Sequence, residues 1–174
     1  PTRKRAGPEK FLEDYHGYLQ ADAYTGYDAL FTEPDRGLVE VACWAHARRK
    51  FFEARGSELS CAMTVVAFIG LLYRIERKTR TWTSAERQAL RQRWAKPVLE
   101  TLYELLMRQR GRVLPKSPEG MAISYTLNNW TALCRYVEDG DLAIDNNAAE
   151  RSLRGVVVGR QNWLFFGSDG GGET

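Results

Sequence analysis

Between Ser57 and Glu138 the apolar residues return every three or four positions, and this periodicity constrains the fold more than any other feature of the sequence. Such spacing stacks side chains on one face of an α-helix, whereas a half-buried strand needs alternation by two. Leu59, Met63, Val66, Ile69 and Leu72 form one such face. Thr83 with Glu86 three residues later is a capping-box signature for a second helix. Leu90, Trp94, Val98, Leu102, Leu105 and Leu106 continue it, with a kink expected at Pro97. Ser117-Pro118 reads as a third helix start, with Leu127, Trp130, Leu133 and Val137 on its apolar face and Gly140 placed to stop it. These stripes are read as core packing. The arginines between positions 74 and 96 are read mostly as a solvated face, with DNA contact as the second reading.

The flanks differ. Residues 1–10 are basic, with Arg3, Lys4, Arg5 and Lys10 among Pro and Gly. Tyr18 to Ala21 reads as a short strand ending at Asp22, and Tyr24 to Phe31 as a short helix. Leu38 to Trp44 is the clearest strand, rich in β-favouring residues. Ala45 to Ala54 reads as a basic helix with Phe51 and Phe52 facing inward. Strand, helix, strand, helix argues for an α/β layer. Three segments are therefore expected: an α/β part at 1–56, an all-helical insertion at 57–140, and a last helix with a hairpin-like tail at 141–174.

Composition narrows the setting. Three widely spaced cysteines, Cys43, Cys61 and Cys134, imply no disulfide framework and fit a reducing cytoplasm. No signal peptide opens the sequence, and the apolar run from Cys61 to Tyr73 is too short to span a bilayer, so no membrane partner is expected. The net charge of +3 is too small to argue for nucleic acid by itself, so the distribution of charge must carry that argument. A start at Pro1 and a finish within a glycine-rich stretch are what a piece of a longer protein is expected to show.

The chemistry concentrates at Asp-Asn-Asn-Ala-Ala-Glu-Arg, residues 145–151. Asp145, Asn146 and Asn147 are all suitable N-caps, which puts Glu150 in the first turn of a helix with Arg151 and Arg154 beside it. A carboxylate so placed can hold a hard divalent cation, and arginines can hold phosphate. Asp22, at the end of the first strand, is a second candidate ligand. The plain alternatives stay open: Asp22 as a helix N-cap, and Glu150 as a capping-box partner of Asn147. On residue type alone caps are commoner than metal ligands. Cys43-x-x-His46 has the spacing of half a zinc site, but no second pair follows it. Arg48, Arg49 and Lys50 are either phosphate contacts or a solvated helix face.

Four blocks carry a resemblance: Gly-Tyr-Leu-Gln-Ala-Asp-Ala-Tyr-x-Gly-Tyr, Cys-Trp-Ala-His-Ala-Arg-Arg-Lys-Phe, Ile-Asp-Asn-Asn-Ala-Ala-Glu-Arg and Gly-Arg-Gln-Asn-Trp-Leu-Phe-x-Gly-Ser. In this order, and over nearly the whole chain, they resemble the transposases of the insertion-sequence 66 family. The resemblance implies a partial ribonuclease-H-like α/β fold with an all-helical insertion, and an Asp-Asp-Glu metal triad. Asp22 matches its second acid and Glu150 its third. The first lies on a strand expected upstream of Pro1, so the isolated chain is expected to be inactive. It further implies Mg²⁺ or Mn²⁺, two ions in the complete enzyme, and DNA as partner at both element ends and target. A homo-oligomer on DNA and a bacterial, nucleoid-associated cytoplasmic location are also implied. Arg151, Arg154 and Arg160 are candidates for orienting the DNA backbone; His46, Arg48, Arg49 and Lys50 are candidates for the same task or for structure. Two other readings compete: a different nuclease of the same fold, and a non-catalytic DNA-binding remnant.

Overall fold

Two short runs of β-favouring residues find each other across a helical crossover. In the computed structural model, which describes residues 10–21, 28–32, 37–56 and 61–152, strand β1 (Gly17–Ala21) pairs in parallel with β2 (Leu38–Ala42). The register sets Gly17 opposite Leu38 and Ala21 opposite Ala42. Helix α1 (Asp28–Thr32) lies in the crossover, as a parallel pair requires, because its strands cannot be joined by a tight turn. A small apolar cluster of Leu12, Leu30 and Leu38, with Leu19 and Phe31 against it, packs this unit.

The second strand ends sooner than its apolar run suggests. Cys43 keeps extended angles and serves as N-cap of α2 (Trp44–Glu53). Trp44 is therefore helical and fully buried. Its indole Nε1 donates to the Leu133 carbonyl at 2.8 Å, and its ring meets Trp130 edge-on at 5.9 Å. Phe51 is buried as expected, but Phe52 is not: it is exposed, with the Arg55 guanidinium 3.7 Å over its ring. Consecutive positions on a helix lie about 100° apart, so one core face cannot take both.

The helical part follows as α3 (Ala62–Lys78), α4 (Ser84–Leu90), α5 (Lys96–Arg110), α6 (Pro118–Asn128) and α7 (Trp130–Cys134). Thr83 caps α4 through the expected reciprocal box with Glu86, and Ser117 Oγ accepts from the Gly120 N–H at the start of α6. Val66, Ile69 and Leu72 are buried along α3, together with Ala62 and Val65. Met63, placed on that face by its spacing, is exposed instead.

The irregularity expected as a kink at Pro97 is found just upstream of it, as a wider turn. Arg91–Ala95 is a π-helical turn between α4 and α5, closed by the Lys96 N–H on the Arg91 carbonyl. The wider turn rotates the inward face, so Arg91, Ala95, Leu99, Leu102 and Leu106 are buried while Trp94 is exposed. Gly140 does not stop a helix either. The third helix breaks at Asn129, and a 3₁₀ turn at Arg135–Val137 ends the run. A Cβ on Gly140 would sit 1.8 Å from the Ser84 carbonyl oxygen, so its missing side chain permits a close backbone crossing instead.

One core joins the two parts. Ala42, Trp44, Ala47 and Phe51 cluster with Val65, Ile69, Leu102, Leu106, Ile123, Leu133 and Ile144. Arg135 adds a hydrogen bond from its guanidinium to the Glu40 carbonyl of β2. Among the described residues no helix is long and apolar enough to cross a membrane.

Candidate functional site at the start of the last helix

The segment after the 3₁₀ turn returns to the parallel strands. Gln20 Nε2 on β1 donates to the Ala143 carbonyl at 2.8 Å, and the Trp44 N–H donates to the Ile144 carbonyl at 3.1 Å. These bonds fasten the chain beside β1 and against the start of α2. The carboxyl ends of parallel strands are where α/β proteins tend to place ligands. Helix α8, described over 147–152, begins there.

Its start is held by Asp145. The carboxylate accepts from the Tyr73 hydroxyl on α3 at 2.7 Å, from the Asn147 N–H at 3.1 Å and from the Asn147 side-chain amide at 2.8 Å. The Asn146 carbonyl accepts the first helical bond, from the Glu150 N–H at 3.0 Å. The Asn147 N–H is thus already bound by Asp145, and a capping box between Asn147 and Glu150 does not form. Spacing alone favoured that box; the helix starting at 147 removes its geometry. Asp145, read from sequence only as one of three possible caps, is the residue that fixes the helix to the helical part. Its partner Tyr73 is far away in sequence, and no local signal points to it.

Burial, and then the Asp145 hydrogen bond, raise the Tyr73 phenol well above its ordinary 10.0. Above pH 10.0 the unfolded chain therefore loses this proton while the folded chain keeps it, and stability falls as pH rises. Tyr73→Phe is expected to lower stability at neutral pH by about 1–3 kcal/mol, the range for a lost hydrogen bond to a carboxylate. It should also flatten the alkaline decline. Denaturant midpoints measured below and above pH 10.0 check both; an alkaline slope equal to that of the unaltered chain would refute the assignment.

Glu150 points away from this knot. Its side chain is 49% exposed, and Oε1 lies 3.6 Å from His46 Nε2 on α2. His46 Nδ1 is buried without a hydrogen-bond partner among the described residues. The Cys43 thiol is buried, which raises its pKa, although backbone N–H groups of Asn146, His46 and Ala45 act in the opposite direction. A protonated thiol is a poor zinc ligand, and among the described residues no group of three His, Cys, Asp or Glu side chains could hold a metal ion.

The basic triplet of α2 divides three ways. Arg48 faces the groove between α2 and α3. Arg49 pairs with Glu53 at 3.2 Å on the solvent side. Lys50 lies 4.6 Å over the Tyr125 ring of α6. Arg151 is exposed on α8. Asp22, Arg154 and Arg160 lie outside the described residues; Asp22 directly follows Ala21, the last residue of β1. The structure therefore brings together Glu150 and His46, while Arg48, Arg49 and Lys50 each meet other neighbours.

Comparison with known proteins assigns the sequence to a family. The profile described as "Transposase IS66 family" matches residues 1–174. Three uncharacterized proteins of Sinorhizobium fredii (strain NBRC 101917 / NGR234) are similar to the chain. Protein y4hP is 34% identical over 186 residues, covering 98% of this chain and 34% of its own length. Protein y4qI is 37% identical over 172 residues, covering 95% and 32%. Protein y4jD is 34% identical over 180 residues, covering 99% and 35%. The chain thus spans about a third of the length of these relatives. No solved structure matches it.

Proposed function

Because this chain belongs to the IS66 family of transposases, we propose that it is part of a metal-dependent enzyme that cuts and joins DNA during transposition of a bacterial insertion sequence. The observation that carries this reading is the placement of Glu150. It is a half-exposed carboxylate, on a helix fastened beside the first of two parallel strands, with no capping task. Asp22 follows the last residue of that strand in sequence. In the ribonuclease-H-like arrangement proposed here, Asp22 and Glu150 would hold Mg²⁺ or Mn²⁺ together with an aspartate outside residues 1–174.

The donor chemistry fits hard cations, which prefer carboxylate oxygens and leave positions open for water and phosphate. When bound, two such ions stabilise negative charge on the attacking and leaving oxygens of an in-line displacement. The protein's own part is positional. Asp145, through Tyr73 and Asn147, holds the helix start, and His46 Nε2, 3.6 Å away, orients the Glu150 carboxylate. Arg48, Arg151, Arg154 and Arg160 take the phosphate backbone. In the first step a water oxygen bonds to phosphorus, the P–O3′ bond breaks, and the departing oxygen takes up a proton as a 3′-hydroxyl. In the second, that hydroxyl loses its proton and its oxygen bonds to a phosphorus of target DNA, the P–O3′ bond there breaks, and the departing target oxygen takes up a proton as a new 3′-hydroxyl. No covalent protein intermediate is required.

The test uses the full-length protein with element-end DNA. Cleavage and strand-transfer products are expected with Mg²⁺ and none with chelator, and residues 1–174 alone should yield neither. Equal product with and without chelator would overturn the metal-dependent reading.

A further inference from the structure

An open groove of about 700 Å³ lies between α2 and α3, and Asn147, the first residue of α8, also lines it. Arg48 lines one wall, and Arg74 and Arg77 line the other. All three are exposed. Among the described residues none of the three has an acidic partner in an ion pair, whereas Arg49 on α2, and Arg87, Arg91 and Arg108 on other elements, do. Arg49 is paired with Glu53, Arg87 with Asp141, Arg91 with Glu76 and Arg108 with Glu104. Three cations around one concavity raise its positive potential, which an anion lying between them would offset.

Ala67 and Gly70 line the same groove, and a Cβ built on Gly70 meets nothing within 4 Å. A glycine within a helix lowers its stability relative to other residues, and no steric constraint requires it here. What its absent side chain leaves is room in the groove. Guanidinium forks match phosphate oxygens, and a row of them tracks a backbone rather than a single ion. Asn147, which also lines the groove, is on the same helix as Glu150.

We propose that this groove holds the sugar–phosphate backbone of one DNA strand, with Arg48, Arg74 and Arg77 as its phosphate contacts, and leads that strand to Glu150. The inference rests on the DNA-transfer reading above and extends it, making the first helix of the insertion part of the DNA path.

The experiment compares full-length variants by fluorescence anisotropy on a fluorescein-labelled random-sequence duplex over a series of salt concentrations. Gly70→Glu introduces a carboxylate into the groove without a clash, and Glu is the better helix former, so this variant should melt no lower than the unaltered protein. Its affinity should fall about tenfold or more through loss of phosphate contacts. Replacing Arg48, Arg74 and Arg77 together by Ala should reduce the slope of log affinity against log salt by roughly three, about 0.9 per contact. Thr101→Glu, on exposed α5 outside the groove, adds the same charge and should bind as before. Unaltered binding and slope in both groove variants would overturn the inference while leaving the transposase reading standing. So would an equal loss in Thr101→Glu, or retained DNA binding with loss of polyglutamate binding, which would mark an acidic protein as the occupant. Failure of the unaltered protein to bind the duplex at low salt would overturn both.

Discussion

Replacing Glu150 by glutamine in the full-length protein is expected to remove DNA cleavage and strand transfer while leaving the melting temperature nearly unchanged. The side chain is 49% exposed and, among the described residues, caps no helix and pairs with the His46 imidazole at 3.6 Å. Exposed substitutions of this kind change stability by no more than about 0.5 kcal/mol. The loss of charge matters far more to a hard cation, for which an amide oxygen is a weak ligand. Loss of a residue that merely supports a ligand costs about 10–100-fold, so loss of the ligand itself should cost at least about a hundredfold. Asp22→Asn should behave in the same way. A melting curve paired with a cleavage assay decides the matter. Near-normal cleavage by Glu150→Gln would mean that the carboxylate serves the fold or the surface, and the metal assignment would fail.

The largest expected loss of stability lies elsewhere. Arg91 is 2% exposed, and its guanidinium makes four hydrogen bonds. Nε and Nη2 donate to the two Glu76 carboxylate oxygens at 3.0 and 2.7 Å, and Nη1 donates to the Tyr136 and Asp139 carbonyls at 2.7 Å each. The guanidinium carbon also lies 5.2 Å from the Tyr136 ring. One side chain thus joins α3, the π-helical turn and the segment that leads to the candidate site. Arg91→Ala would leave Glu76 and two carbonyls without their donor. Breaking a buried pair in this way costs about 3–5 kcal/mol. For a chain of this size that corresponds to a melting point lower by roughly 6–20 °C. Arg91→Lys should recover only part of the loss, because an ammonium cannot reproduce the bidentate fork. Denaturant titration of the three proteins measures the effect, and a loss below about 1 kcal/mol in Arg91→Ala, the level of an exposed pair, would show that the network carries no weight.

Local order in this protein was legible wherever a local rule sufficed. The parallel strands, the Thr83–Glu86 box, the Ser117 cap and the burial of Ile69, Leu72, Leu102 and Leu133 follow from propensity, capping chemistry and spacing. The blocks that carry the family resemblance were likewise readable, and the family match spans the same residues. The candidate site was legible as residue types: Glu150 stands in the first turn of a helix, as the Asp-Asn-Asn run predicts. Its geometry was not. Whether Glu150 caps its own helix depends on where the first helical bond closes, and that was set by Asp145 through its bond to Tyr73.

The same division holds for the core. A stripe of apolar residues fixes a helix but not its phase, because a single wider turn rotates the inward face. The π-helical turn at Arg91–Ala95 exposes Trp94 and buries Arg91, the exception among arginines read mostly as a solvated face, of which Arg74, Arg77, Arg80 and Arg93 are exposed. Hydropathy assigns each residue a cost of burial, but for a charged group that cost depends on its partners, here Glu76 and two carbonyls distant in sequence. Arg48, Arg49 and Lys50 are equivalent as a basic run, yet they meet a groove, a neighbouring acid and an aromatic ring. Sequence therefore determined what is read within one turn or one strand: element type, caps and the chemistry on offer. Tertiary structure decided which of those groups face one another, since long-range partners alone set the free energy of burying or pairing a polar side chain.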